Sequence, residues 1–121
     1  MSADGIAAYK QNSVTTQSRG RIVVMLYEGA VRFLKKTIEA MEAGDVEQRV
    51  LYLNKACDII LELNVSLDME VGGEIAENLR NLYMFMIRHL NTAHAKNDTA
   101  KVREVIGLME ELNEGWKAIT A

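Results

Sequence analysis

An all-α fold, an antiparallel four-helix bundle with a mobile N-terminal arm, is predicted by three observations. The 121 residues contain no proline, and proline is the residue that most often punctuates turns and β-edges. The chain is rich in Ala, Leu, Glu, Lys and Met, which are strong helix formers. From about residue 19 to the end, apolar residues recur every three to four positions in four runs separated by short corners. Runs of roughly 20 to 25 residues joined this way form an antiparallel bundle most simply, with helices about 30 to 37 Å long at 1.5 Å per residue.

Residues 1–18 are small and polar, with Ile6, Tyr9 and Val14 isolated among them. No period is sustained, so they read as a flexible arm, and residues 19–121 as the bundle. The first helix is expected over about 19–43, with Ser18 as a side-chain cap. Ile22, Leu26, Ala30, Phe33, Leu34, Ile38 and Met41 share its apolar face, opposite Glu28, Arg32, Lys35, Lys36 and Glu39. Gly44 supplies a left-handed stop. Asp45 with Gln48 resembles a capping box that starts a second helix, about 46–67.

The second helix carries two apolar stripes. Val46, Val50, Leu53, Cys57 and Ile60 read as the core stripe, and Tyr52, Ala56, Ile59 and Leu63 lie beside it. Together they cover about 200° of surface, against the roughly 100° that a single core face needs. The third helix, about 73–96, is expected to bury Ile75, Leu79, Leu82, Tyr83, Met86, Leu90 and Ala93, with Met84 and Phe85 projecting elsewhere. The fourth, about 98–119, follows the capping cluster Asn97-Asp98-Thr99 and turns Val102, Val105, Ile106, Met109, Leu112, Trp116 and Ile119 to one side. Gly72 and Gly73 read as the corner between the second and third helices. A phosphate-cradling loop would need a preceding strand and a lysine, and neither is there.

Composition bounds the function. One domain fits this length, and a net charge of −3 attracts neither nucleic acid nor an anionic membrane. Cys57 is the single cysteine, so no intrachain disulfide and no cysteine zinc site form. The start MSADGIAAYKQNS lacks the basic residues and apolar stretch of a signal peptide. The longest apolar run, IVVMLY at 22–27, falls short of the roughly 20 residues that cross a bilayer. A soluble cytosolic protein is expected.

Catalytic and metal chemistry is not expected, nor is a cofactor. A di-iron bundle needs Glu-x-x-His pairs, whereas Met86 precedes His89 and Asn91 precedes His94 at that spacing. A phosphotransfer bundle acting through His89 is the competing reading from a different class, set against a plain boundary histidine. Cys57, within the inner stripe, reads as an inert small hydrophobe.

What stands out is surplus apolar surface: the doubled stripe on the second helix, the broad face of the first, and Met84 and Phe85. A large exposed apolar patch marks a partner site, and an amphipathic helix laid in a groove is its natural guest. Central-helix burial or a homodimer accounts for the same pattern. Ile6 and Tyr9 of the arm are candidates to lie in such a groove while it is empty.

The stretch LDMEVGGEIAENLRNLY at 67–83, with the following M-x-x-x-x-L-x-x-A-x-x-K-N-D, the start AYKQNSV, the segment VVMLYEGAVRFL and the closing GWKAI resemble the flagellar secretion chaperones that bind flagellin. The likeness runs from Tyr9 to Ile119. It departs from the family at Arg19, where the family often has proline, at Glu28, and at Met84 and Phe85. The resemblance implies a non-enzymatic role in the bacterial cytosol: holding the disordered C-terminal segment of flagellin, preventing premature polymerisation and delivering it to a component of the flagellar export apparatus. It also implies helices of the client wrapped on the bundle, and Tyr9 as the arm aromatic that occupies or lines the groove. Geometry adds Tyr27, Tyr52, Ile59, Leu63 and Met84 as candidate flagellin contacts, each equally compatible with a place in the core. The free chain is expected to be a monomer or weak homodimer, without nucleic acid or membrane insertion.

Overall fold

The structure, a computed structural model, describes the backbone of residues 2–120 and the side chains of residues 19–69 and 72–120. Four helices follow in order: α1 (Ser2–Ala43), α2 (Val46–Val65), α3 (Met69–Lys96) and α4 (Thr99–Thr120). α1 packs between α2 and α4, and α3 closes the ring against α4 and, least closely, α2. α1 is helical from Ser2, so no break in it marks the expected arm boundary at residue 18. The side chains of Ile6 and Tyr9 lie outside the described residues.

The corners form as their residues dictate. Gly44 adopts φ +72°, a conformation that costs glycine nothing. Asp45 then caps α2, its Oδ1 accepting from the Gln48 N–H at 3.1 Å. Between α3 and α4, Asn97 takes φ +52°, which asparagine tolerates, and Asp98 Oδ1 accepts from the Ala100 N–H. Arg49 ties these two corners together, donating to Asn97 Oδ1 at 2.9 Å. At the opposite end the chain turns at 66–68, before the expected place; the glycine pair falls inside α3, where Gly73 kinks the helical path at φ +52°, ψ −124°.

The core is assembled from Ala30, Leu34, Ile38 and Met41 of α1, Leu53, Ala56, Ile60 and Leu63 of α2, Met86, Leu90 and Ala93 of α3, and Val102, Val105, Ile106 and Met109 of α4. Tyr27 and Tyr83 meet inside it, at the first core-cluster positions of α1 and α3. Their helices, α1 and α3, are diagonal and make no close backbone approach, so only long side chains span the gap. The two hydroxyls hydrogen-bond to each other, and Trp116 closes over Tyr27 with ring centroids 6.4 Å apart.

Three sequence expectations shift. The core line of α2 runs between the two apolar stripes rather than along the first, so Val46 and Val50 are exposed while Ala56 and Leu63 are sealed. Ile22, Ile75 and Ile119, expected inside, are exposed. All three sit at the end of the bundle where α1 enters it and α4 leaves, beyond the last full layer of core side chains. Asn113, unremarked in the sequence, is buried on α4.

The tyrosine pair makes two predictions. Removing one hydroxyl leaves the other buried and unpaired, at a cost of about 1 to 3 kcal/mol. Urea denaturation of Tyr27→Phe, Tyr83→Phe and the double variant is therefore expected to show the double costing less than the two singles summed. Burial pushes the Tyr83 phenol above its ordinary value of 10, and its bond with Tyr27 pushes it further. Burial likewise raises Tyr27, with its bonds to Tyr83 and Trp116 partly opposing. Cys57 rises from 9 to about 11, through burial first and the charge of Asp58 second. In each case the folded chain keeps a proton that the unfolded chain has lost. Stability is thus complete below pH 9, declines above it as the unfolded thiol ionises, and falls more steeply above pH 10; denaturant midpoints across that range check this.

A candidate partner-binding face along the second helix

Because the buried line of α2 runs down its middle, both flanks keep apolar side chains at the surface. On the flank facing α1, Tyr52 and Ile59 are half-buried. They are seven residues apart, two turns along one face. Tyr52 stacks on Phe33 of α1 with centroids 6.1 Å apart and planes 22° from parallel. Lys36 Nζ stands 5.2 Å from the Tyr52 centroid and Lys55 Nζ 5.4 Å from that of Phe33, so each ring carries a cation on its electron-rich surface. Further along the seam, Gly29 lies against Ile59: a Cβ added at Gly29 would stand 3.4 Å from Ile59 Cδ1, in van der Waals contact. The seam ends in an apolar hollow between Ile22, Val23 and Leu26 of α1 and Glu62 and Ser66 at the α2 terminus.

The α2 surface turned away from α1 is more open: Leu61, one turn beyond Cys57, is 45% exposed, and Val65, on the solvated strip with Asp58, is 82% exposed. Cys57, on the same side, is half-buried, as are Met84 and Ile87 on α3. Here α2 and α3 touch least, so the seam between them is the loosest of the four.

The sequence-predicted contact residues therefore divide. Tyr52 and Ile59 share a face. Met84 lies half-buried on another helix, packed against the core cluster. Tyr27 and Leu63 are core residues at 0% and 2% exposure, Tyr27 because its hydroxyl is committed to Tyr83. Ile6 and Tyr9 fall outside the described side chains. Sequence reasoning missed Phe33, Lys36 and Lys55 around Tyr52, and Leu61 and Val65 on the far flank. The signal for the last two was present: valine or leucine at positions that complete neither stripe.

His89, the competing candidate, is not presented to a partner. Its side chain is 16% exposed, its Nε2 lies 2.5 Å from Glu104 Oε2, and its ring stacks on Phe85 with centroids 4.9 Å apart. A phosphoryl group at that nitrogen would meet a carboxylate of like charge. Among the described residues no group of three or more His, Cys, Asp or Glu side chains is placed to hold a metal ion. None of their helices is long and apolar enough to cross a membrane.

Comparison with known proteins identifies the family. The family model described as flagellar protein FliS matches residues 2–121. The chain is 41% identical over 123 residues to the flagellar secretion chaperone FliS of Salmonella typhimurium, covering 98% of this chain and 91% of that one. It is 37% identical over 112 residues to the Campylobacter jejuni protein of the same name, covering 93% and 88%, and 37% identical over 110 residues to that of Bacillus subtilis, covering 91% and 81%. Matched along almost its whole length by the family model and by relatives named flagellar secretion chaperones, the chain belongs to the FliS family.

Proposed function

We propose that this chain is a cytosolic, non-enzymatic chaperone that holds the disordered C-terminal segment of flagellin, prevents its premature polymerisation and hands it to a component of the flagellar export apparatus. Membership of a family whose relatives are named flagellar secretion chaperones supports a role in flagellar export. The observation that carries the finer reading is the apolar surface on both flanks of α2, with Tyr52 and Ile59 on one side and Leu61 and Val65 on the other. A client that folds as it binds gives up chain entropy, so it needs broad apolar contact to offset that loss. In this reading residues 1–18, with Ile6 and Tyr9, leave the line of α1 to lie over part of the surface until the client displaces them, and Met84 extends the contact onto α3. Tyr27 and Leu63 stay in the core and support the surface from beneath.

Titration with full-length flagellin and with flagellin lacking its C-terminal segment tests the reading. A stoichiometric complex and a gain of helical circular dichroism are expected with the first and not the second; equal binding of both, or of neither at micromolar concentration, overturns it. Leu61→Glu/Val65→Glu is expected to weaken flagellin binding by at least about tenfold, some 1.4 kcal/mol. Its melting temperature should stay close to that of the parent, because both side chains are exposed. Tyr9→Ala is expected to shift affinity and likewise leave melting nearly unchanged; calorimetry on the same samples reads both quantities.

A further inference from the structure

We propose that the seam between α1 and α2 selects a client segment that sets a carboxylate beside an apolar anchor, as an acidic amphipathic helix does. The inference deepens the proposed function and rests on it, naming the chemistry that the α1 flank of α2 reads in its client.

The seam has a hollow at each end and an aromatic bridge between them. At one end Ile22, Val23 and Leu26 of α1 line a hollow of about 410 Å³ with Glu62 and Ser66. At the other, Lys36, Glu39 and Ala43 of α1 face Asp45, Gln48 and Tyr52 across about 380 Å³. Between them lie the stacked rings of Phe33 and Tyr52, both half-buried, and then Ile59 against Gly29. Ring edges and the isoleucine side chain are left for a guest to cover.

Charge is spread unevenly along this line. Its carboxylates stand at the ends, Glu62 in the first hollow and Glu39 and Asp45 in the second. Over the bridge the sign reverses. Lys36 and Lys55 reach in from opposite helices, with Nζ 5.2 Å from the Tyr52 centroid and 5.4 Å from that of Phe33. Among the described residues neither lysine is in an ion pair, although the chain has a net charge of −3.

A cation over a ring at an exposed site is weakly held, and its outer side stays free for an anion. A guest that lays an apolar side chain on the ring edges shuts water away from both ammonium groups. A carboxylate arriving with it then pairs in a lower dielectric than bulk water. A basic guest meets like charge there, and a neutral one strips water from the ammonium groups without replacing it. Lys36 stands about 15 Å along α1 from Leu26 at 1.5 Å per residue. The matching guest therefore carries its apolar anchor and its carboxylate about three helical turns apart.

Calorimetric titration of the full chain with the C-terminal segment of flagellin tests this. Lys36→Gln/Lys55→Gln is expected to weaken binding about fivefold at low salt, and Lys36→Arg/Lys55→Arg to preserve it. Lys35→Gln/Lys117→Gln, which removes the same charge on the α4 side, is expected to change affinity by less than about twofold. All four lysines are exposed, so the fold does not depend on them. Raising salt from about 0.05 to about 0.5 M is expected to close the gap between the parent and Lys36→Gln/Lys55→Gln. A segment with its Asp and Glu replaced by Asn and Gln is expected to bind the parent about fivefold more weakly. If the parent binds flagellin but neither neutralisation weakens it, or if the two glutamine pairs weaken it equally, the proposal is overturned while the chaperone function stands. No binding of flagellin by the parent overturns both. A parent dimer in sedimentation that Lys36→Gln/Lys55→Gln dissolves puts a second copy on the seam and overturns the proposal as well.

Discussion

The contact between the Tyr27 and Tyr83 hydroxyls is the constraint on which the rest of this bundle turns. α1 and α3 are diagonal helices, too far apart for short side chains to meet. Two tyrosines bridge the gap, and once inside each must satisfy the other's polar tip, because water cannot reach them. That requirement sets the rotation of both helices about their axes. With Tyr27 pointing inward, Ala30 and Leu34 follow it into the core while Glu28 and Arg32 face out towards the α4 seam. Gly29 is left against α2, where it receives Ile59.

α2 inherits its orientation from that arrangement, and its apolar surplus follows. The bundle asks one line of α2 to be buried, and Leu53, Ala56, Ile60 and Leu63 fill it. Everything apolar beyond that line remains accessible. The two flanks differ in character. Next to α1 the surface is aromatic and flanked by lysines, suited to a guest with acidic or aromatic groups. Away from α1 it is aliphatic and more exposed, with Leu61 and Val65 at the surface. Under the proposed function, surface of both kinds would suit a client that takes its shape on arrival.

Polar groups are sorted by the same geometry. Thr37 is buried yet satisfied, its hydroxyl donating to the Phe33 carbonyl at 2.8 Å. Arg49 finds Asn97 at the corner end. His89 is taken up by Glu104 and Phe85. Among the described residues Asn64 and Asn113 each keep a buried side-chain oxygen without a hydrogen-bond partner.

Four helices, the corners at Gly44 and Asn97 and the family were determined by the amino-acid sequence itself. Periodicity, the Asp45 cap, the left-handed positions Gly44, Asn97 and Gly73, and the motifs shared with flagellar chaperones are local features, and local steric and hydrogen-bonding rules decide them. Which side of α2 faces the core was decided only by tertiary structure. Both stripes are apolar, and nothing along the chain distinguishes Val50 from Ala56 until α1 is placed beside them. The same holds for Tyr27, whose burial depends on a partner 56 positions away, and for Ile22, Ile75 and Ile119, which sit in register with the core but beyond the layer where the neighbouring helices still cover them.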